Sequence, residues 1–203
     1  MRIGIFGGTF DPPHLGHLIL AMEACDQLNL DRLLWMVTPD PPHKRGITIT
    51  PVETRMSLIQ AAIQEDPKFE ISKVEMERPA PQYAVDTIRA LRGIYPDAAL
   101  IYLMGGDSLH DLPEWHHPQL LVEISDGLGV MRRPGDSVDL TLLETQLPGI
   151  TKKVSFVDAP LLEISSRQIR QRVCSNRPFR YYLPKNVYEL ILKLELYCTP
   201  EDD

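Results

Sequence analysis

Short apolar runs alternate along this chain with stretches of helical periodicity, and this alternation restricts the fold more than any other feature. The runs are typical of buried strands and cover residues 3–6, 33–37, 99–104, 128–131 and 154–157. Between them, apolar residues recur at the spacing of one helix face, as in Leu15, Leu18, Ile19 and Met22; in Met56, Ile59 and Ile63; in Val85, Ile88 and Leu91; and in Val187, Leu190, Ile191 and Leu194. Strands that alternate with helices predict an α/β fold, a doubly wound parallel sheet covered by helices on both faces. Ligands of such sheets bind beyond the carboxyl ends of the strands, so a site is expected in the loops that follow them.

The length and net charge of the chain indicate how many domains it has and which kinds of ligand it binds. With 203 residues we expect one domain over 1–203, in which 160–203 form a small C-terminal helical part. The formal net charge of −7 argues against a general nucleic-acid binder. It does not exclude phosphate ligands, because these need only a local cluster of donors.

Cysteine usage and hydropathy predict the compartment. Cys25, Cys174 and Cys198 lie far apart, which disfavours a disulfide framework or a zinc site and fits a reducing interior. No apolar run approaches the roughly 18 residues of a membrane span, and no signal-peptide pattern precedes the first strand. We therefore expect a cytoplasmic protein without membrane contact.

The loop after the first strand carries the most specific motif, which reads Gly-Gly-Thr-Phe-Asp-Pro-Pro-His-Leu-Gly-His from position 7 to position 17. Gly7 and Gly8 permit close backbone approach to a ligand. His14 and His17 share a face on the first turn of a helix, and Gly16 between them leaves room for a phosphate of ATP. The helix N-terminus adds N–H donors and partial positive charge. This arrangement predicts stabilisation of charge on a phosphate; the alternative is that both imidazoles only cap and pack.

The loop resembles the signature of the nucleotidylyltransferase superfamily, and in detail the version found in nicotinate-nucleotide adenylyltransferases. The resemblance implies a Rossmann-like nucleotidylyltransferase fold. It also implies that His14 and His17 are catalytic residues at the ATP phosphates, with His17 nearest to the transition state. Backbone contacts to the nucleotides are implied for Gly8, Thr9 and Phe10.

A second anion site is predicted from position 164, where the sequence reads Ile-Ser-Ser-Arg-Gln-Ile-Arg. Ser165 or Ser166 is a natural N-cap, and an arginine one turn into the helix can grip phosphate with two N–H groups. The superfamily has Ile-Ser-Ser-Thr-x-Ile-Arg here, so the resemblance implies that both serines bind ATP and that Arg170 is catalytic. Arg167 replaces the usual small residue, and the sequence does not decide between a phosphate contact and a solvated side chain.

The loop after the fourth apolar run, Met-Gly-Gly-Asp-Ser-Leu from position 104, is predicted to bind the ATP ribose. Glycines permit close nucleotide approach, and an acidic residue at a strand end can accept hydrogen bonds from ribose hydroxyls. The resemblance places Gly105 and Asp107 there; a tight turn with a helix cap is the alternative. Arg133, in the basic turn 132–135, either borders the adenine or only forms that turn.

Two further segments match the family's binding site for the pyridine nucleotide. The resemblance implies that the Trp of Leu-Pro-Glu-Trp-His flanks the nicotinate ring, although burial against a helix is the alternative. It also implies that the backbone of Tyr-Ala-Val-Asp-Thr, from position 83, meets the nicotinate carboxylate. The nicotinate-nucleotide-binding residues predicted from these segments are Tyr83, Ala84, Thr87, Trp115 and His116.

Charge around the triphosphate is expected from a lysine and a metal ion. Lys44 lies in the Pro-rich loop 38–51 and matches the family's Pro-Pro-His-Lys, so the resemblance implies a catalytic lysine that closes over the triphosphate. An ordinary solvated lysine is the alternative. Mg²⁺ is the expected cofactor, bound mainly through ATP phosphates and with no metal site built by the chain itself.

The resemblance implies an adenylyltransferase that moves AMP from ATP to nicotinate mononucleotide by direct in-line attack, without a covalent intermediate. The expected partners are these two substrates, and the sequence leaves a homo-oligomer open. Rival functions are those of pantetheine-phosphate adenylyltransferase and the cytidylyltransferases, and nicotinamide mononucleotide is a rival acceptor. A non-catalytic nucleotide sensor that kept the fold is a rival from another class.

Overall fold

Over the residues that the computed structural model describes, which are 1–39, 49–132, 139–160 and 162–198, the strands form one six-stranded sheet. The strands are β1 (Arg2–Gly8), β2 (Arg32–Val37), β3 (Phe69–Ser72), β4 (Ala99–Gly105), β5 (Gly127–Arg132) and β6 (Val154–Asp158). Every pairing between neighbouring strands is parallel. The predicted parallel sheet is confirmed.

The strand order is β3-β2-β1-β4-β5-β6. β1 and β4 are neighbours, and Phe6 pairs with Leu103 near their carboxyl ends. Because the chain winds outward in opposite directions from these two strands, their ends border the crevice in which doubly wound sheets bind ligands. The two loops with the clearest motifs, after β1 and after β4, therefore lie side by side.

Helices cover both faces of the sheet. Their bounds are α1 (Leu15–Gln27), α2 (Val52–Ile63), α3 (Ala84–Ile94), α4 (Gly106–His110), α5 (Pro118–Ile124), α6 (Leu140–Gln146), α7 (Ser166–Cys174) and α8 (Lys185–Lys193). Side chains alternate between the faces along each strand. One core cluster joins Ile5 and Leu128 to α3, α5 and α6, and another joins Trp35 and Leu103 to α1 and α2.

The C-terminal helices pack on α2. Leu58 of α2 lies in a third core cluster with Ile169 of α7 and Val187 of α8. Both helices fall within the predicted helical part 160–203. Leu194, included in the predicted apolar face of α8, is 45% exposed because it is the residue that caps the helix end. No helix in the described part of the chain is long and apolar enough to cross a membrane.

β3 is a strand that the apolar runs did not predict. Phe69 and Ile71 alternate in it with Glu70 and Ser72, and all four residues are half-buried. An edge strand needs only one apolar face, and Phe69 and Ile71 pack on the α1 and α2 side. So short an alternation is a weak signal in the sequence.

α1 lies where the periodicity predicts it, but a different face is buried. The buried residues are small or slim, namely Gly16, Ala21, Ala24 and Cys25, whereas Met22 of the predicted stripe is 53% exposed. A Cβ at Gly4 of the sheet would lie 2.5 Å from Cδ1 of Leu30, just beyond α1. The large side chains of Leu28 and Leu30, which follow α1, thus fill the space over the glycines of the sheet, while α1 itself buries small residues. The stripe of Leu15, Leu18, Ile19 and Met22 instead lines a surface groove with α2.

Candidate active site

The aromatic ring of Phe10 packs over the loop after β1. Phe10 has a left-handed backbone with φ 49°, and its ring folds over Gly8 so that a Cβ there would lie 2.7 Å from the ring's Cζ. The ring is 3% exposed and packs against Phe6 and Trp35, with centroids 5.4 and 5.0 Å away. Residue 8 must therefore be glycine, and Phe10 can offer a ligand little besides its backbone.

His14 and His17 come together at the start of α1. His14 is the N-cap, and its ring stacks on that of His17 with the centroids 3.7 Å apart. The backbone N–H of His14 donates a hydrogen bond of 3.2 Å to Nδ1 of His17. A neutral imidazole that accepts at Nδ1 carries its proton on Nε2. The backbone thus fixes His17 in the tautomer that donates from Nε2.

His14 is buried at this position. Burial lowers the pKa of its imidazole from the usual 6.5 to about 4, so the ring is neutral at pH 7. Among the described residues, none provides a hydrogen-bond partner for Nδ1 of His14. A Cβ at Gly16 would lie 3.0 Å from that nitrogen. Gly16 therefore makes room for the His14 ring, while its predicted contact with phosphate stays a prediction.

The second predicted anion site docks onto the first. Ser165 is the N-cap of α7, and its hydroxyl accepts from a backbone N–H of the first turn at 3.1 Å. Ser166 Oγ donates to the carbonyl oxygen of Pro12 at 2.8 Å. Arg170 Nη1 donates to the carbonyl oxygen of Asp11 at 3.0 Å. The start of α7 is thereby fixed against the segment that leads into α1.

The two arginines of this motif differ in environment. Arg170 is 7% exposed, whereas Arg167 is exposed. The exposure of Arg167 favours a solvated side chain over a built phosphate contact. Arg170 is anchored against the loop, and its predicted role toward ATP stays a prediction.

Three buried polar side chains beneath the loop had no predicted role. Asp11, Arg55 and Tyr197 are 2%, 1% and 3% exposed. The hydroxyl of Tyr197 donates to Asp11 Oδ1 at 2.7 Å, and the backbone N–H of Thr50 donates to Oδ2 at 3.2 Å. These partners are distant along the chain, so no local pattern links them. The available signal was weak: an arginine within the apolar spacing of α2.

The loop after β4 lies beside the loop after β1. Gly105 is the N-cap of α4, and no atom of the described residues outside its immediate chain neighbours lies within 4 Å of where its Cβ would be. Asp107 is exposed in the first turn of α4. The cap is therefore made by Gly105, and the Asp107 carboxylate remains at the surface beyond the end of β4.

The segments predicted to hold the pyridine ring meet each other. Tyr83, the N-cap of α3, stacks on the exposed His116 with ring centroids 3.9 Å apart and planes 22° apart. Trp115 is half-buried and meets Tyr102 edge-on, with centroids 6.1 Å apart. Ala84 is the first residue of α3, so its N–H belongs to the helix N-terminus. The rings of Tyr83, His116 and Trp115, which form an aromatic wall, thus lie together with the start of α3.

Thr87 is placed beneath this wall rather than in it. Its side chain is fully buried, and its hydroxyl lies 2.9 Å from Glu75 Oε1 and accepts from Arg78 Nη2 at 2.7 Å. Burial raises the pKa of the Glu75 carboxyl, and the hydroxyl of Thr87 opposes that shift. Thr87 therefore braces the start of α3 from below.

Lys44 and Arg133 lie outside the described residues, so their predicted contacts stay predictions. In the described ranges, no group of three or more His, Cys, Asp or Glu residues is arranged to hold a metal ion. Of the polar side chains described around the β1 loop, those of the His, Ser and Arg residues suit anions. The Asp11 carboxylate already accepts from Tyr197 and Thr50.

Comparison with known proteins shows the family of the chain. Residues 5–172 match the cytidylyltransferase-like family. A Thermomicrobium roseum protein named probable nicotinate-nucleotide adenylyltransferase is 46% identical over 200 residues, covering 98% of this chain and 93% of that protein. The nicotinate-nucleotide adenylyltransferase of Bacillus subtilis is 39% identical, covering 97% of this chain and 98% of that protein. In fold, the chain is similar to Plasmodium falciparum nicotinic acid mononucleotide adenylyltransferase complexed with NaAD, with a TM-score of 0.77, 20% identity and 97% of both chains covered.

Proposed function

This chain belongs to the cytidylyltransferase-like family, and within it to the nicotinate-nucleotide adenylyltransferases, and from that membership we propose the reaction of its site. The enzyme transfers AMP from ATP to nicotinate mononucleotide, giving nicotinate adenine dinucleotide and pyrophosphate in NAD biosynthesis. We propose that it works in the cytoplasm, because the cysteines of its described residues are unpaired and Cys25 is buried.

One observation carries the proposal, namely the junction of the two anion-binding motifs. Ser166 and Arg170 of α7 bond to the carbonyl oxygens of Pro12 and Asp11, just before the histidine pair. The N-terminal turns of α1 and α7 therefore lie near each other, and each offers unsatisfied N–H groups and partial positive charge. Such a junction suits a polyphosphate better than a single phosphate.

The chemistry at this junction is an in-line displacement. An oxygen of the 5′-phosphate of nicotinate mononucleotide forms a bond to the α-phosphorus of ATP, and the bond from that phosphorus to the bridging oxygen of pyrophosphate breaks. The attacking phosphate is already an anion, so no general base and no covalent enzyme intermediate are needed. Catalysis then consists of positioning two anions and stabilising charge in the transition state.

His17 is the residue to which we assign most of that stabilisation. Its tautomer is set by the backbone N–H of His14, so the donor at Nε2 needs no reorganisation when charge develops on the α-phosphate. His14 is neutral at pH 7 in the free protein, so it contributes a neutral ring and a support for His17 rather than a fixed charge. Arg170, Ser165, Ser166 and Lys44 complete the proposed triphosphate contacts.

The acceptor is held by the aromatic wall. Stacked Tyr83 and His116, with Trp115 beside them, offer flat apolar surfaces to a pyridine ring. The N–H of Ala84 at the start of α3 would donate a hydrogen bond to a carboxylate, which nicotinate has and nicotinamide lacks. Thr87 acts by holding this helix start in place.

The remaining contacts concern the adenosine part and the metal ion. Asp107 and Gly105 border the crevice at the end of β4 and are proposed to meet the ribose, and Arg133 to border the adenine. Mg²⁺ prefers hard oxygen ligands and keeps several waters, so ATP phosphates would hold it while the His, Ser and Arg side chains contact the phosphates. The ion would neutralise negative charge on the triphosphate.

The test is pyrophosphate release from ATP and Mg²⁺ with nicotinate mononucleotide, nicotinamide mononucleotide or phosphopantetheine as the acceptor. We expect the highest kcat/KM with nicotinate mononucleotide. A preference for another acceptor would contradict the assignment of the acceptor wall. Binding of ATP without turnover with any acceptor would indicate a nucleotide sensor instead.

A further inference from the structure

Arg55 of α2 is the most deeply buried charged side chain near the site, with 1% exposure. Within the described part of the chain, its guanidinium donates to backbone carbonyl oxygens alone. The distances are 2.8 Å from Nε to Thr50, 2.9 Å from Nη1 to Thr9, 3.0 Å from Nη1 to Thr38 and 3.1 Å from Nη2 to Pro39. A buried charge is costly unless its donors are satisfied, and here each guanidinium nitrogen has at least one partner.

The four carbonyls come from three separate stretches of chain. Thr9 follows β1, Thr38 and Pro39 follow β2, and Thr50 precedes α2. One rigid, planar group therefore sets the distances between the loop with the histidine motif and the neighbouring strand end. Burial lowers the pKa of the Arg55 guanidinium, and the Asp11 carboxylate opposes that shift.

The segment that Arg55 holds is conformationally demanding. Phe10 lies between Thr9 and Asp11 with φ 49°, a region that non-glycine residues rarely adopt. Arg55 bonds the carbonyl before it and Arg170 bonds the carbonyl after it. The two arginines thus hold the backbone on both sides of Phe10, and residues 9–11 form the clamped segment. Residues 12–14 continue directly from it into α1.

We propose that Arg55 is a positioning residue for the adenylyl transfer, which acts through the Thr9 carbonyl to fix the backbone that carries His14 and His17. It touches no substrate in this role. The kinetic part of the proposal rests on the proposed function. A merely structural Arg55 would affect the stability of the fold and leave the turnover of folded enzyme unchanged.

The test compares Arg55→Lys with a matched control, Arg92→Lys. Lysine keeps the positive charge but has a single nitrogen, so it cannot reach Thr9, Pro39 and Thr50 together. Arg92 also bonds a backbone carbonyl, that of Ala98, and pairs with Asp126, but at the opposite end of β4. Both variants are assayed well below their melting temperatures, after circular dichroism has established that they are folded.

We expect kcat of Arg55→Lys to fall about 10- to 100-fold with KM for ATP changed less than about threefold, because displaced reacting groups affect turnover more than binding. Arg92→Lys should keep kcat within about twofold of the unaltered enzyme. A kcat for Arg55→Lys equal to that of Arg92→Lys would overturn the proposal. If Arg55→Lys does not fold, Arg55→Gln, which removes the buried charge and keeps amide donors, is measured in the same way.

A second readout does not depend on catalysis. The pKa of His14 is followed by NMR from its imidazole proton shifts. Loosening of the clamped segment admits water, so Arg55→Lys should raise this pKa from about 4 toward 6.5, while Arg92→Lys leaves it unchanged. An unchanged His14 pKa in folded Arg55→Lys contradicts the positioning role even if the enzyme has a different substrate. A wild-type chain that releases no pyrophosphate contradicts the proposed function alone.

Discussion

The proposed site has two regions whose exposed or reacting side chains are held in different ways. The phosphate region, residues 8–17 with the start of α7, is fixed by hydrogen bonds from deeply buried side chains to backbone carbonyls, as with Arg55 and Arg170. In the acceptor region, residues 83–87 and 115–117, the aromatic side chains are held by ring contacts above the hydrogen-bonded Thr87, and His116 is exposed. Charge stabilisation needs donors that do not move, whereas recognition of a flat ring tolerates side chains that adjust. We therefore expect kcat to depend on the first region and acceptor KM on the second.

The strongest test of this division is His17→Ala. Loss of a preorganised donor to a transition-state oxygen lowers kcat about 100- to 1,000-fold, and we expect a much smaller change in ATP affinity. Steady-state kinetics and calorimetric ATP binding measure the two effects, with His110→Ala, an exposed histidine at the end of α4, as control. Equal losses in kcat and in ATP affinity would mean that His17 only binds ATP.

The burial of His14 predicts a pH dependence of stability. Between pH 6.5 and about 4 the unfolded chain binds a proton on this imidazole that the folded chain does not bind. The free energy of unfolding should therefore fall by about 3 kcal/mol as the pH drops through that window, and stay complete above pH 6.5. Urea unfolding measures this, and His14→Asn, which keeps a good N-cap, should lack this part of the profile. Parallel pH profiles for the two proteins would show that His14 is not buried in solution.

The smallest expected effect concerns the acceptor region. His116→Ala removes the stack on Tyr83, and we expect KM for nicotinate mononucleotide to rise about 2- to 10-fold while kcat and KM for ATP stay unchanged. Tyr181→Ala, which removes an aromatic ring that is 88% exposed, serves as control. A fall in kcat for His116→Ala would break the division between the two regions.

Much of the fold could be predicted because its signals are local. Each predicted strand lies within an observed one, and the helices of the four periodic segments are present. β3 was missed because a short half-buried edge strand has a weak pattern, and the buried face of α1 was wrong. Periodicity reports that a helix has an apolar stripe, but the packing of distant residues against the helix decides which of its sides is buried.

The candidate site also contains residues that the sequence predicted and residues that it did not. The motif residues meet where a doubly wound sheet places its loops, so His14, His17, Ser166 and Arg170 could be brought together from the sequence. Arg55, Asp11 and Tyr197 could not, because a single arginine, aspartate or tyrosine carries no spacing that identifies its distant partners. The supporting side chains of a site are therefore harder to predict than its motifs.

The sequence by itself determined the parallel α/β sheet, the motif order along it and the family to which the reaction belongs, since these follow from local patterns of apolar and chemically distinctive residues. Only the tertiary structure decided that β1 and β4 are neighbours, that His14 is buried with a pKa of about 4, and that Arg55 ties three stretches of chain together. Burial and hydrogen bonds between distant residues depend on how the whole chain packs, and no local window of sequence contains that information.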